Sequence, residues 1–395
     1  MPWGAVSAMD LRLEFCELAG REGANVRLLC RRYEIAPKTG YKWLARWREA
    51  GPAGVAERSR RPLSSPARIE PAIEAAALAV RAAHPAWGGR KIAAVLARDG
   101  LAAPSPSTIT QILRRHGHEI GAFGGGAQPW TRFEHEAPND LWQMDFKGHV
   151  GMDDGRRLHP LTVLDDHSRY CIALAACDNQ KTATVQGFLT KAFRRYGLPR
   201  TLITDNGSPW GDGPGSPYTP LGVFLIDQGV RVSHSRPYHP QTMGKDERFH
   251  RSLKAEALSA GPFANLPEAA WRLAEWREIY NRKRPHEGIG MAVPAARYTV
   301  SPREYRETVE PFDYAPGDVV RRVQDGGLIS FERRKRRIPK AFHGREIALR
   351  GSEQDGVFDV YYRHQCIARL DFRDPAGDAQ PVTDVPEHPL PMSPV

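Results

Sequence analysis

The chain has 395 residues, enough for about two to four domains, and carries a formal net charge of +10 with a pI near 9.5. The excess of Lys and Arg favours an anionic partner, nucleic acid first, because each neutralised phosphate releases counterions. The five cysteines form no CxxC pair, which argues against a zinc module or a disulfide scaffold. With no signal-peptide pattern and no apolar run of membrane-spanning length, we expect a soluble cytoplasmic protein.

Residues 5–52 have the helical periodicity of a helix-turn-helix domain. The apolar stripes of its last two predicted helices are Val26, Leu29, Cys30 and Tyr33, then Tyr41, Leu44 and Trp47. Lys38, Thr39 and Lys42 lie on the outer face of the last helix, as entry into a major groove requires. A generic helical bundle is the alternative interpretation.

Residues 53–66 form a basic linker by composition. Its Arg58, Arg60 and Arg61 suit contact with a DNA backbone or minor groove, and a solvated linker is the equally good alternative.

Residues 67–120 predict a second helix-turn-helix domain. In its last helix Ile109, Ile112 and Leu113 point inward. The polar residues predicted to face DNA are Thr108, Gln111, Arg114 and Arg115. Two such domains in tandem suit recognition of a long DNA site.

After a flexible connection at residues 121–139, residues 140–300 alternate between strand and helix patterns. The predicted elements are strands Leu141–Phe146, Leu158–Leu164 and Tyr170–Ala176, helix Thr182–Tyr196, strand Thr201–Thr204, helix Tyr218–Gln228, strand Val230–Ser233 and two final helices. This order predicts a mixed α/β domain with one central sheet.

Residues 314–373 show about five short strands separated by turns, which predicts a small SH3-like β-barrel. Within it, Arg333, Arg334 and Lys335 belong to a basic loop or edge strand. Phosphate contact is the favoured interpretation, and an edge blunted by charge is the alternative. Residues 374–395 are rich in Pro and are expected to be disordered.

Three carboxylates occupy suggestive places in the α/β domain. Asp145 lies on its first strand, Asp205 ends the fourth, and Glu247 opens the helix after the fifth. Converging carboxylates repel one another unless cations neutralise them, and hard oxygen ligands select Mg²⁺ or Mn²⁺. Two ions about 3.5–4 Å apart activate a water or 3′-hydroxyl for in-line displacement at a phosphate.

The helix that begins near Gly244 carries Glu247, Arg251 and Lys254 at i, i+4 and i+7, so that the two cations can hold phosphates beside the carboxylate. An ordinary exposed ion pair is the alternative. Asp246 adjoins Glu247, and only one of the two can face the sheet edge; we predict that Glu247 does. Asp165 and Asp166 are predicted to cap a hairpin turn rather than to bind metal.

Five motifs occur in one order: WQMDFKG, LDDHSRY, TDNGSPW, HPQTMGKDERFHRSLK and YNRKRPHEGI. Together they resemble the DDE catalytic core of retroviral integrases and bacterial insertion-sequence transposases. The resemblance implies an RNase H-like fold, two Mg²⁺ ions that Mn²⁺ can replace, and a homo-oligomer, such as a dimer, on paired ends of double-stranded DNA. It places the catalytic and metal-binding triad on Asp145, Asp205 and Glu247, with Asn206 beside the site and Lys245 among the DNA contacts.

The sequence departs from that pattern at two points. The stretch between Asp205 and Glu247 is several residues longer than is usual, and Trp210 to Thr219 looks like the extra loop. The zinc module at the N-terminus of retroviral integrases has no counterpart in the Cys and His spacing.

These features predict a bacterial, nucleoid-associated transposase. It would bind the terminal inverted repeats of its element, cleave 3′ ends and transfer strands into target DNA. A structure-directed nuclease and a non-enzymatic DNA-binding regulator are the alternatives.

Overall fold

A computed structural model describes residues 7–57, 69–119, 133–211, 217–235, 244–374, 377–382 and 393–394. The chain divides into two compact units, residues 1–68 and 69–395. Among the described residues, no helix is long and apolar enough to cross a membrane.

The first unit is a three-helix domain. Its helices are α1 (Ala8–Ala19), α2 (Val26–Arg32) and α3 (Pro37–Ala50). The Ser7 and Asn25 side chains cap the first two helices by accepting backbone N–H groups. The predicted stripe on α2 is confirmed, because Cys30 is buried and its partners pack around it.

The stripe predicted on α3 needs one correction. Tyr41 is half-exposed, and Trp43 is buried in its place. Gly40 explains why α3 turns Trp43 rather than Tyr41 toward the core. A Cβ at position 40 would lie 2.4 Å from Cys30 Sγ, so this position must approach α2 closely. The helical period then directs residues 43 and 44 inward and residue 41 outward.

The second unit begins with another three-helix domain, made of α4 (Pro71–Ala83), α5 (Gly89–Arg98) and α6 (Pro106–Arg115). Ile109, Ile112 and Leu113 are buried, as predicted.

The central sheet lies downstream. Its strands are β2 (Leu141–Phe146), β3 (Val150–Gly151), β4 (Arg157–Asp165), β5 (Cys171–Cys177), β6 (Thr201–Thr204) and β7 (Arg231–His234), preceded by the short β1 (Phe133–Glu134). The order is β3-β4-β2-β6-β7, with β5 paired to β4. β2, β6 and β7 run parallel, whereas β4 is antiparallel to β2 and β5.

Helices cover both faces of this sheet. They are α7 (Thr182–Tyr196), α8 (Pro220–Asp227), α9 (Gly244–Glu256) and α10 (Leu266–Arg282). One buried cluster joins α7 and α8 to the sheet through Trp142, Val185 and Phe193. A second joins α9 and α10 to it through Phe249 and Leu273. The predicted mixed α/β architecture is confirmed.

The C-terminal strands are β8 (Val319–Arg322), β9 (Leu328–Phe331), β10 (Arg334–Arg337), β11 (Glu346–Gly351), β12 (Val357–Tyr362), β13 (Gln365–Asp371), β14 (Gln380–Pro381) and β15 (Ser393–Pro394). They form an antiparallel sheet in the order β14-β13-β12-β11-β8, a separate β9–β10 hairpin, and a β15–β1 pair.

The closed SH3-like barrel expected from the strand pattern is not confirmed. Within the described part of the chain, β9 and β10 form ladder pairs only with each other. An isolated bridge joins Gln324, two residues after β8, to Leu328 of β9. Residues 374–395 were expected to be disordered; among those that the structure describes, Gln380–Pro381 extends the sheet. The Val382 backbone finds partners there in Ile367 and the Tyr218 hydroxyl.

Candidate active site

Asp145 and Asp205 lie at the carboxyl ends of adjacent parallel strands. Gln143 of β2 is paired with Ile203 of β6, so the residues two positions further along both strands meet at one sheet edge. Burial, and then the charge of Asp205, raises the pKa of Asp145 to about 6. The two carboxylates are thus close enough to repel each other.

Local hydrogen bonds hold each carboxylate in place. The Phe146 amide donates to Asp145 Oδ1 at 2.7 Å, and the Gly207 amide donates to Asp205 Oδ1 at 3.0 Å. The Asn206 side chain donates to the Ser235 carbonyl at 2.8 Å, which ties the turn after β6 to the end of β7. Both aspartates keep solvent access: Asp205 is exposed and the Asp145 side chain is 31% exposed.

The first turn of α9 presents a buried carboxyl group, that of Asp246, to this edge. Its Oδ1 lies 3.1 Å from the Thr162 hydroxyl, and its Oδ2 has no hydrogen-bond partner among the described residues although His250 Nε2 is 3.2 Å away. Burial, and then the charge of Asp145, raises the pKa of Asp246 well above its usual range.

His250 completes this pocket beneath Asp145. Its Nδ1 lies 3.9 Å from Asp145 Oδ2, and its Nε2 lies 2.9 Å from the Thr162 hydroxyl. Burial, with the nearby charge of Lys147, lowers the pKa of His250 to about 3, so the imidazole is neutral. One ligand atom each of Asp145, Asp246 and His250 falls within 4.8 Å of the others.

The Glu247 side chain is turned toward solvent, so the prediction that it rather than Asp246 faces the sheet edge was wrong. Its side chain is 67% exposed, and its Oε1 accepts from Arg251 at 3.3 Å. The physical reason is helical phase: Phe249 and Leu253 are buried, and Asp246 is three and seven residues before them on the same face.

Lys245, predicted to contact DNA, instead makes a buried ion pair. Its Nζ lies 2.6 Å from Asp166 Oδ2, and the lysine side chain is only 20% exposed. Burial lowers the pKa of Lys245 to about 8, with the charge of Asp166 opposing that shift. Although burial alone would raise it, the hydrogen bond from His135 and the charge of Lys245 hold the pKa of Asp166 below its usual range.

Asp165 and Asp166 have different structural roles at the end of β4. Asp165 caps the turn as predicted, accepting from the Ser168 amide at 2.8 Å and from the Asn139 amide at 2.7 Å. Asp166 points toward α9 instead. Its partners His135 and Gln143 were missed at the level of sequence: Gln143 lies within the motif WQMDFKG, whereas His135 belongs to none of the five motifs.

Most of the other predicted DNA contacts have exposed side chains: Lys38, Lys42, Gln111, Arg114, Arg115, Arg251, Lys254, Arg333, Arg334 and Lys335. Thr39 and Thr108 are half-buried, and Arg115 pairs with Glu74 at 2.6 Å. Arg333 lies in the tight turn between β9 and β10, and Arg334 and Lys335 begin β10, so these three residues belong to one side of a hairpin. Arg58, Arg60 and Arg61 lie outside the described residues.

Several family models match the chain. Two models of the integrase core domain match residues 135–240 and 228–294, which include Asp145, Asp205 and Glu247. A helix-turn-helix domain matches residues 12–62 and a homeodomain-like domain matches 39–113. The C-terminal domain of IS481 family transposases matches residues 318–376.

Curated relatives come from bacterial insertion elements. The uncharacterized 39.2 kDa protein of insertion element IS476 from Xanthomonas euvesicatoria is 31% identical over 160 residues, 40% of this chain and 44% of that protein. The uncharacterized 31.7 kDa protein of IS407 from Burkholderia multivorans is 28% identical over 159 residues, 40% of this chain and 55% of that protein. The chain thus spans about half the length of these two relatives. Transposase InsD of Escherichia coli is 27% identical over 239 residues, 56% of this chain and 73% of that protein.

The chain joins helix-turn-helix domains, an integrase core and an IS481-type C-terminal domain, so its resemblance to insertion-sequence transposases with an integrase-like core is confirmed.

Proposed function

We propose that this chain is a DNA transposase that binds the terminal inverted repeats of its element, cleaves 3′ ends and joins them to target DNA. The observation that carries the proposal is the pair of carboxylates, Asp145 and Asp205, at adjacent ends of parallel strands inside an integrase core domain. We further propose an RNase H-like fold for this core and action in the bacterial cytoplasm at the nucleoid.

The donor set fits divalent cations. Asp145 and Asp205 offer hard oxygen ligands on a solvent-accessible edge, and burial and the charge of Asp205 raise the pKa of Asp145, a repulsion that bound cations would relieve. When bound there, two Mg²⁺ ions (or Mn²⁺) supply a Lewis acid that activates the attacking oxygen and stabilises the leaving one.

Glu247 is the third carboxylate in this proposal, although Asp246 lies closer to the strand edge. Mg²⁺ keeps several waters and takes substrate phosphate oxygens, so its ligands must be reachable from solvent. Asp246 is 1% exposed, and its neighbour His250 offers nitrogen, a poorer ligand for Mg²⁺. Glu247 is exposed in the same helical turn and is held by Arg251, a partner that it can exchange for a metal ion.

The surfaces around this site suit DNA. The exposed Arg251 and Lys254 lie one and two turns beyond Glu247, where they would hold flanking phosphates. The two helix-turn-helix domains would read the element ends through α3 and α6, and the β9–β10 hairpin would add backbone contacts. Because two ends must be joined to one target, we propose that a homo-oligomer, such as a dimer, assembles on paired ends.

Asp205→Asn tests the proposal in a strand-transfer assay with purified full-length chain, DNA carrying the element ends, and Mg²⁺. Loss of one metal ligand should remove about 4 kcal/mol of transition-state stabilisation, which slows joining about a thousandfold. Arg306→Gln, in an exposed ion pair with Glu310, is the matched control and should join at the wild-type rate. If Asp205→Asn still joined strands, the assignment of Asp205 as a catalytic metal ligand would be wrong. Cleavage without joining by the wild type would favour a structure-directed nuclease, and DNA binding without either activity would favour a regulator.

A further inference from the structure

Asp166 is a buried carboxylate to which the proposed chemistry gives no role. Its side chain is 4% exposed, and groups from three separate elements converge on it. Lys245 Nζ lies 2.6 Å from Oδ2, the Gln143 side-chain amide donates to Oδ1 at 2.9 Å, and the His135 backbone amide donates to Oδ2 at 3.0 Å. A buried carboxylate with this many partners holds its surroundings in one arrangement.

These partners connect the two elements that carry the candidate carboxylates. Gln143 precedes Asp145 by two residues on β2, so the two share a face of the sheet. Its other side-chain atom, Oε1, accepts from the Asp246 backbone amide at 3.3 Å, in the first turn of α9. Lys245 belongs to the same turn. Asp166 is therefore linked to β2 through Gln143, and to α9 through both Lys245 and Gln143.

The start of α9 needs such support for two reasons. The first N–H groups of any helix lack partners within the helix, and here Gln143 accepts one of them. A cation in the first turn also opposes the helix dipole, so Lys245 is unfavourably placed unless a carboxylate neutralises it. Asp166 provides that carboxylate, and no exposed ion pair could hold the turn as firmly.

We propose that Asp166 is a positioning residue that fixes the first turn of α9 against β2 through Lys245 and Gln143. It thereby sets the separation between Glu247 and Asp145. The catalytic consequence rests on the proposed function, whereas the positioning itself does not.

Asp165 provides a matched comparison. It is equally buried and one residue away, yet it bonds to Ser168 and Asn139 and has no described contact with α9. If Asp166 merely stabilised the turn after β4, replacing either aspartate would have the same consequences. If Asp166 positions α9, only its replacement changes that helix.

The test is hydrogen–deuterium exchange on the full chain without DNA, comparing Asp166→Asn, Lys245→Met, Lys245→Arg and Asp165→Asn with wild type. In the first two variants, amides of residues 246–250 should exchange about tenfold faster while those of α10 stay unchanged. Lys245→Arg keeps the cation and should restore protection. Asp165→Asn should loosen the turn after β4 and leave the start of α9 as in wild type.

A second readout concerns catalysis. Asp166→Asn and Lys245→Met should slow strand transfer by about a hundredfold, raise the Mg²⁺ concentration for half-maximal rate, and leave DNA affinity unchanged. Should Asp166→Asn not fold, the Lys245→Met and Lys245→Arg pair still decides the matter. Unchanged exchange at residues 246–250, or equal loss of protection in α9 and α10, would overturn the proposal. Failure of the proposed function would appear differently, as a wild type no more active than Asp205→Asn, with the exchange result unaffected.

Discussion

The two faces of α9 place neighbouring carboxyl groups in opposite environments. On the inner face Asp246 is 1% exposed among Thr162, His250 and the sheet, and its pKa is raised. On the outer face Glu247 has a 67% exposed side chain that meets only the cation of Arg251 among its described contacts. Neighbouring positions on one helix thus hold a buried carboxyl group whose pKa is raised and an exposed carboxyl group that a ligand can reach.

That difference bears on which carboxyl group of α9 can serve the proposed metal site. Burial raises the pKa of a carboxyl group and removes it from water, so the buried residue serves the structure better than the metal. An exposed carboxylate on a firmly packed helix combines access with a defined position. We therefore expect substitutions on the inner face to change stability and those on the outer face to change activity.

The largest effect on stability is expected from Phe249→Ala on the inner face. Phe249 is 2% exposed and meets Tyr280 and Trp276 edge-on, at centroid distances of 4.7 and 5.5 Å. Losing this ring should lower the free energy of unfolding by about 3–5 kcal/mol, measured by urea denaturation of the full chain. Lys254→Ala on the outer face is the control and should change it by less than about 0.5 kcal/mol. A similar decrease in the free energy of unfolding in both variants would show that the inner face of α9 contributes no more to stability than the outer face.

A smaller effect of opposite sign is expected from Asp145→Asn in metal-free buffer. Burial and Asp205 raise the pKa of Asp145 to about 6, so the folded protein holds a proton that the unfolded chain releases near pH 4. Ionised Asp145 thus destabilises the fold increasingly as the pH rises from about 4 to 6. The variant should be more stable than wild type by up to about 3 kcal/mol at pH 7.5 and equal to it at pH 4. A stability difference independent of pH would contradict the cause assigned here.

The smallest effect is expected from Arg251→Gln. Its ion pair with Glu247 is exposed and contributes less than about 1 kcal/mol, so stability should not change measurably. Affinity for DNA should fall about equally for all sequences, and the slope of log affinity against log salt should drop by about 1. Fluorescence anisotropy across a salt series measures both. A loss confined to one DNA sequence would show that Arg251 reads bases instead.

The secondary structure of the core was largely predictable from the sequence because its strands and helices are regular. Leu141–Phe146 was predicted at its observed bounds, as were Thr182–Tyr196 and Thr201–Thr204. Their ends are marked by turn residues and by changes in hydrophobic period. Asp145 and Asp205 were predicted from their places on the first and fourth strands and from the resemblance to the DDE core, whereas the parallel pairing that brings them to one edge was not predicted.

What escaped prediction depends on contacts between distant parts of the chain. Lys245 looked like a surface cation, and only its packing against Asp166, 79 residues earlier, gives it a structural role. The orientation of Asp246 could have been predicted from the sequence, because Asp246 shares a helical face with the apolar residues Phe249 and Leu253. Barrel closure was not, because a strand pattern does not say which strands pair.

Single-turnover strand transfer by Glu247→Gln and Asp246→Asn, assayed side by side with Mg²⁺, decides which of the two carboxyl groups is the third metal ligand. Glu247→Gln should lose about a thousandfold in rate with its melting temperature unchanged, as expected for an exposed metal ligand. Asp246→Asn should keep its rate within about tenfold of wild type, since its carboxyl group is buried and a hydrated metal ion cannot reach it. The reverse outcome, an active Glu247→Gln and an inactive but folded Asp246→Asn, would show that Glu247 is not a metal ligand and would assign the metal to the inner face of α9.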